Sequence, residues 1–322
     1  MRGLRFLGLA VGVLAIGLAL SFVLPEYYLR LLNLSVISAI AVIGLNIAFG
    51  YAGLISLGHA AFVGLGAYVL AILTTRLGLS PWLATLAAIG LTTAFAAVIG
   101  LPLLRLKGHY LALATLGLNV SFVIVTSNWL DLTGGTNGIS QIPAFQFLQY
   151  PLSNERSFLW LALVSLAIVV VLASLLHHSR YGRALISVRD DELAAEMTGL
   201  DTTRLKLLAF ALSAACAGFA GCLFACHVRF ISPEDFSYAN SINYLAMLIV
   251  GGESTIAGAI LGAVLLTFLP EWLRFLGNAY LALFGLLVFA VLVFLPSGIV
   301  GLRKLVRIPS RNGRVQTAEA QS

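Results

Sequence analysis

Residues 31–75 read LLNLSVISAIAVIGLNIAFGYAGLISLGHAAFVGLGAYVLAILTT, 45 positions without a single Asp, Glu, Lys or Arg. A helix needs about 20 apolar residues to cross the hydrocarbon core of a bilayer, so this one run holds two crossings. Further charge-free runs cover 6–25, 77–104, 108–130, 157–179, 207–228, 236–252, 254–270 and 275–302. Over all 322 residues, 60% are apolar and 10% charged, against about 45–50% and about 25% in soluble domains. So little charge cannot clothe a water-facing surface. The runs are continuously apolar rather than alternating, which excludes outer-membrane strands. In lipid the backbone must satisfy its own hydrogen bonds, which leaves helices. The fold class is all-α, a polytopic membrane helix bundle.

Charges and turn residues divide the chain into ten hydrophobic segments: 6–24, 31–49, 53–74, 81–104, 109–128, 157–177, 207–227, 239–252, 255–270 and 276–299. The eighth and ninth are short and flank Gly251-Gly252-Glu253, where one broken or re-entrant element would serve as well as two crossings. The first segment is too long for a signal-peptide core, and no A-x-A site precedes Pro25, so it is expected to be retained. Positive residues stay on the cytoplasmic side. With ten crossings and the N-terminus inside, 14 of the 19 Lys and Arg fall inside, which puts both ends in the cytoplasm. The net charge of +6 then follows from loops facing an anionic leaflet and needs no nucleic acid. The expected organisation is a membrane domain over 1–302, containing a cytoplasmic loop at 180–206, and a basic tail over 303–322.

That loop carries ten of the 32 charged side chains in 27 positions. Ser187-Val188-Arg189-Asp190 resembles a capping box, Asp190, Asp191 and Glu192 would sit in a first turn favoured by the helix dipole, and Gly199 is a natural stop. The pattern predicts a helix over about 188–198. It is either an amphipathic connector on the membrane surface or a docking helix for a partner, with small Ala194 and Ala195 beside Leu193 and Met197.

Two membrane segments are glycine-rich and interrupted: Gly50 to Tyr68, which includes His59, and Gly251 to Ala263, which includes Glu253. Interrupted segments of this kind mark substrate paths in transporters. Ionisable groups at membrane depth default to function, although His59 could equally be a buried imidazole bonded to a carbonyl, and Glu253 could reach water. Gly258-x-x-x-Gly262 and Ala217-x-x-x-Gly221 allow close helix packing. Cys222, Cys226 and His227 give three ligands where zinc usually wants four, so no metal is expected. TGGTNGIS, residues 133–140, is a turn cluster. No Gly-Lys-Ser or Gly-Lys-Thr, G-x-S-x-G or H-E-x-x-H occurs, so neither a phosphate loop nor a catalytic residue is expected.

Several stretches together resemble the LivM-type permease subunits of ATP-driven branched-chain amino acid importers. They are GLNIAFGYAGLISLGHAAFVGLGAY, LKGHYLALATLGL, TGGTNGIS, YGRALISVRDDELAAEMTGLD, ISPEDF, GGESTIAGAILGA and LPSGIVGL, in the family's order over residues 44–302. The resemblance implies a multi-pass protein of the bacterial inner membrane. Its partners would be two cytoplasmic ABC ATPases, a second homologous permease, a periplasmic substrate-binding protein and membrane lipid. ATP and magnesium would reside in the ATPases, with no cofactor on this chain. The family's coupling frame, Glu-Ala-Ala-x-x-x-Gly, falls on Leu193, Ala194, Ala195 and Gly199, with leucine in the glutamate's place. The implied coupling residues are Arg183, Asp190, Glu192, Leu193, Ala194, Ala195, Glu196 and Gly199. Candidates for the translocation path are Asn46, Gly53, Ser56, His59, Gly251, Gly252 and Glu253. At GGESTIAGA, Ser254 and Ala259 stand where the family's usual GGxGTxxGP has glycine and proline, and Glu253 replaces a small or neutral residue at the variable position. Alternative expectations are a permease for urea or short amides, a carrier driven by an ion gradient, and, least of all, an enzyme embedded in the membrane.

Overall fold

The computed structural model describes residues 24–147 and 150–274, with isolated positions 12, 17, 21, 285, 286, 289, 298 and 299. The first and last hydrophobic segments lie, but for those positions, outside the described residues, as does the basic tail.

Pro25 precedes the first described helix, α1 (Glu26–Asn46), and Glu26 places a carboxylate in its first turn, where the helix dipole favours it. α1 is the axis of the bundle. In its most apolar stretch, continued through a π-turn at Ile47–Tyr51, 83% of residues are buried, against 22% in α3 (Pro81–Leu103) and α4 (His109–Asn128). Those two helices therefore form a flank that turns Leu83, Leu86, Val98, Leu113 and Ile124 outward. Between the π-turn and α2 (His59–Thr75) the chain is not helical. The expected span over 53–74 thus begins six residues late, because Gly53 adopts a positive φ of 69° that ends helical winding.

A short helix, α5 (Leu130–Thr133), leads into the 133–140 turn cluster. Strand β1 (Ile139–Ser140) pairs antiparallel with β4 (Phe230–Ile231), Ile139 opposite Ile231. A second two-residue pair joins β2 (Gln146–Phe147) and β3 (Tyr150–Pro151). The 180–206 loop lies between α6 (Glu155–His178) and α9 (Thr202–Val228). The chain then forms α10 (Tyr238–Gly251) and α11 (Ile256–Trp272).

Small residues decide how these helices meet. A β-carbon on Gly221 of α9 would run into the Val63 carbonyl of α2, and one on Gly44 of α1 would meet Cys216 of α9. α10 and α11 lie antiparallel in direct backbone contact, Gly251 facing Gly258 and Gly262 facing the Met247 carbonyl. The expected Gly258–Gly262 and Ala217–Gly221 pairs are both used this way. With 14 residues, α10 is about 21 Å long at 1.5 Å per residue, short of a bilayer core of about 30 Å. The short segments form a hairpin whose tip is Gly252–Thr255.

Candidate functional site

The 180–206 loop folds as two helices rather than one. α7 (Arg180–Asp190) begins at Ser179, whose Oγ accepts the Gly182 N–H at 3.1 Å, and buries Gly182, Leu185 and Val188. Asp191 then leaves helical geometry at φ −156° and caps α8 (Glu192–Met197) by accepting the Ala194 N–H at 3.0 Å. The expected helix over 188–198 is corrected accordingly. Ser187 lies inside α7, where its hydroxyl donates to the Arg183 carbonyl at 3.1 Å. No capping box forms because Ser187 is not at a helix start, and the Asp190 carboxylate takes Arg189 Nη2 at 3.0 Å instead. At the far end, Gly199 N–H donates to the Glu196 carbonyl and Leu200 N–H to the Ala195 carbonyl, with Gly199 at φ 84°. That paired closure is the Schellman stop expected of Gly199.

This helical hairpin is anchored on one face and open on the other. Glu192 bridges Lys206, at 2.5 Å, and Lys107, at 3.7 Å. Glu196 accepts the Thr202 hydroxyl at 2.8 Å. Burial pushes the Glu192 carboxyl up, but Lys206 and then Lys107 outweigh it and hold it below the usual carboxylate range. Outward, Leu193 is 64% and Met197 80% exposed, with Ala194 exposed between them. Ala195, expected on the coupling face, is 4% exposed and packs inward. Arg183 is exposed and bonds the His178 carbonyl at 2.9 Å.

α7 also reaches both helix breaks. The Arg189 Nη1 donates to the Gly50 carbonyl at 2.7 Å and to the Ser254 hydroxyl at 2.5 Å. Ser254 in turn donates its hydroxyl to the Gly50 carbonyl and its N–H to Asn46 Oδ1, both at 2.9 Å. Gly50 permits this approach, since a β-carbon there would meet Asn46 Oδ1 and come within 2.9 Å of the Ser254 nitrogen. A cavity of about 200 Å³ lies beside the knot, lined by Gly53, Lys107, Arg189, Glu192 and Lys206 among others. Asn46, Gly251, Gly252 and Glu253 are thus gathered around one tip, with the Glu253 side chain exposed at the surface. Gly53 is also exposed and lies under the Arg189 side chain.

His59 and Ser56 sit elsewhere, at the start of α2. The His59 ring is buried and its Nε2 lies 2.8 Å from the Ala41 carbonyl. A carbonyl only accepts, so Nε2 carries the proton. The ring also meets Tyr244 edge-on at 6.0 Å. Ser56 accepts the Gly58 N–H at 3.4 Å, Thr115 accepts the Leu57 N–H at 2.9 Å, and Ser241 accepts the Ala60 N–H at 2.9 Å. The broken stretch before α2 is therefore held by hydroxyls from α4 and α10. Cys222 and His227 do not converge: the Cys222 thiol faces the Gly66 carbonyl, and His227 faces Phe158 and Glu155.

Sequence reasoning missed Arg189, Gly50, Ser254, Lys107, Lys206 and Thr115. The signal for Arg189 was a cation in the first turn of the helix expected over 188–198, but nothing local tells which remote carbonyl it bonds.

A helical bundle with helices long and apolar enough to cross a membrane, and with interrupted segments among them, is consistent with a membrane permease. Comparison with known proteins specifies the kind. A family model described as branched-chain amino acid transport system, permease component, matches residues 27–296. The chain is 34% identical to the high-affinity branched-chain amino acid transport permease LivM of Escherichia coli, over 96% of this chain and 78% of that protein. It is 35% identical to the LivM of Salmonella typhimurium, over 91% and 75%. A probable LivM of Methanocaldococcus jannaschii is 24% identical over 67% and 66%. No solved structure matches. The chain belongs to the branched-chain amino acid transport permease family and is a transport subunit, which favours that expectation over the gradient-driven carrier and the embedded enzyme.

Proposed function

We propose that the chain is the membrane permease subunit of an ATP-driven importer that brings branched-chain amino acids into the bacterial cytoplasm by alternating access. Its relatives are named for that transport system. Two cytoplasmic ATPases hold the ATP and magnesium, a sister permease completes the path, and a periplasmic binding protein delivers substrate. Both termini face the cytoplasm. The observation that carries this reading is the open face of α8: Leu193, Ala194 and Met197 are exposed at the surface while Glu192, Glu196 and Ala195 fix the opposite face. Two large apolar side chains held side by side at the surface of a charged loop call for cover, which a groove on an ATPase would supply.

The test is purification of the tagged chain in mild detergent, with identification of whatever stays bound, followed by uptake of radiolabelled leucine into proteoliposomes of the assembly. P-loop ATPases and a second permease should be recovered at fixed stoichiometry, and uptake should require ATP. Ala194→Asp should abolish ATPase association while the chain still folds; Ala195→Asp is unsuitable because that side chain is buried. Uptake that survives without ATPases and collapses with an uncoupler would overturn the importer reading in favour of a gradient-driven carrier.

A further inference from the structure

We propose that Arg189 and Ser254 form a latch that transmits movement of the α7–α8 hairpin into both helix breaks at once. The inference rests on the importer reading above and deepens it, because it assigns the route by which work done at the ATPases reaches the membrane interior. Arg189 lies in the last turn of α7, one residue before Asp190 and two before the Asp191 cap of the docking helix. Its guanidinium bonds the Gly50 carbonyl, in the π-turn that ends α1, and the Ser254 hydroxyl, at the tip of the α10–α11 hairpin. Ser254 closes the circuit onto Gly50 and Asn46. Three segments remote in sequence therefore share one set of hydrogen bonds, and α7 cannot shift without pulling on both discontinuities or breaking them.

A second observation points to Ser254 independently. It sits at φ 63°, a left-handed conformation that costs any residue but glycine and that persists where surrounding structure holds it. A glycine would occupy this position without strain and would supply no hydroxyl. Strain retained together with a hydroxyl bonded to two partners marks a side chain held for what it bonds. Arg189 and Ser254 are positioning residues: neither need touch the passing amino acid.

The experiment uses the whole assembly of permeases, ATPases and binding protein in proteoliposomes, with leucine uptake and ATP hydrolysis measured on the same sample. Ser254→Gly relaxes the backbone while removing the hydroxyl, so the assembly should keep its thermal stability and its ATPases. Leucine moved per ATP hydrolysed should fall about fivefold, the low end of typical coupling between sites. Arg189→Lys keeps the charge but loses the Nε and Nη2 bonds to Asp190 that aim Nη1 at Gly50 and Ser254, and leucine per ATP should fall here too. Unchanged leucine per ATP in Ser254→Gly would overturn the latch, whatever Arg189→Lys does. Arg189→Ala is secondary, since it can disturb the hairpin itself; Ser254→Gly carries the test because folding predicts no loss from it. Wild-type assembly without ATP-dependent uptake would bring down the importer reading, and the latch with it, before any variant is compared.

Discussion

Glu192 is a carboxylate between two lysines, with Lys206 at 2.5 Å and Lys107 at 3.7 Å. Burial raises its pKa, but the lysines win and the net direction is down. A depressed carboxylate stabilises the fold at every pH above its unfolded value and loses that contribution as pH falls through its folded value. Proteolytic cutting of the 180–206 loop should therefore rise as pH drops below the ordinary carboxylate range, about 4. Glu192→Gln should flatten that acid rise and cost about 1.5–3 kcal/mol at neutral pH, because the nearly buried Lys206 ammonium loses its charged partner. Limited proteolysis across pH checks both. His59 makes the opposite case. Its Nε2 proton is committed to the Ala41 carbonyl, so it serves as a structural donor. His59→Gln keeps an N–H within the site and should leave both uptake and its pH profile intact. A profile that loses a limb in this variant would make the imidazole a proton carrier instead.

At the scale of helices, the packing turns on positions where a methyl group has no room. Gly221 lies against the Val63 carbonyl and Gly262 against the Met247 carbonyl, both backbone atoms that cannot swing aside. Gly221→Ala and Gly262→Ala should each destabilise the bundle by about 1–3 kcal/mol, the usual cost of overpacking. Gly90 is exposed with nothing within 4 Å, and Gly90→Ala should instead stabilise α3 by about 0.5–1 kcal/mol. Thermal unfolding in one detergent ranks the three. This is also the scale at which the sequence was most legible. Charge-free runs located every described span, and small-xxx-small spacing located the contacts of Gly221 and Gly262. The breaks were legible as glycine clusters but not in detail. Gly53 at positive φ moved the start of α2 to His59, and Asp191 split one expected helix into two. Asp190 and Asp191 are chemically equivalent in sequence. In the structure Asp190 ends α7 with its carboxylate on Arg189, whose guanidinium is committed to remote partners, while Asp191 is extended and forms the cap. A window of neighbouring residues does not contain that information, since the partners of Arg189 are Gly50 and Ser254.

Taken whole, the molecule has two chemically different ends. At one, the hairpin of α7 and α8, the π-turn and the α10–α11 tip converge through Arg189, and Lys107 and Lys206 gather around Glu192. At the other, Asn33 Nδ2 donates at 2.9 Å to the Glu155 carboxylate, His227 approaches that same carboxylate at 3.6 Å, and β1 pairs with β4. On the function proposed above the first end faces the cytoplasm, as the asymmetry of positive charge favours, and there ATPases would meet Leu193 and Met197. In a background with Cys216, Cys222 and Cys226 replaced, a single cysteine at Met197 should react with a membrane-impermeant maleimide in inverted vesicles and not in intact spheroplasts. A cysteine at the exposed Glu234, in the short turn after β4, should show the reverse. Addition of the ATPases should then protect Met197→Cys and leave Glu234→Cys unchanged, because only the α8 face is covered by docking. Labelling of both positions from the same side would contradict the bundle's polarity. Reversed sides would leave the fold standing but put α8 where no cytoplasmic ATPase could reach it.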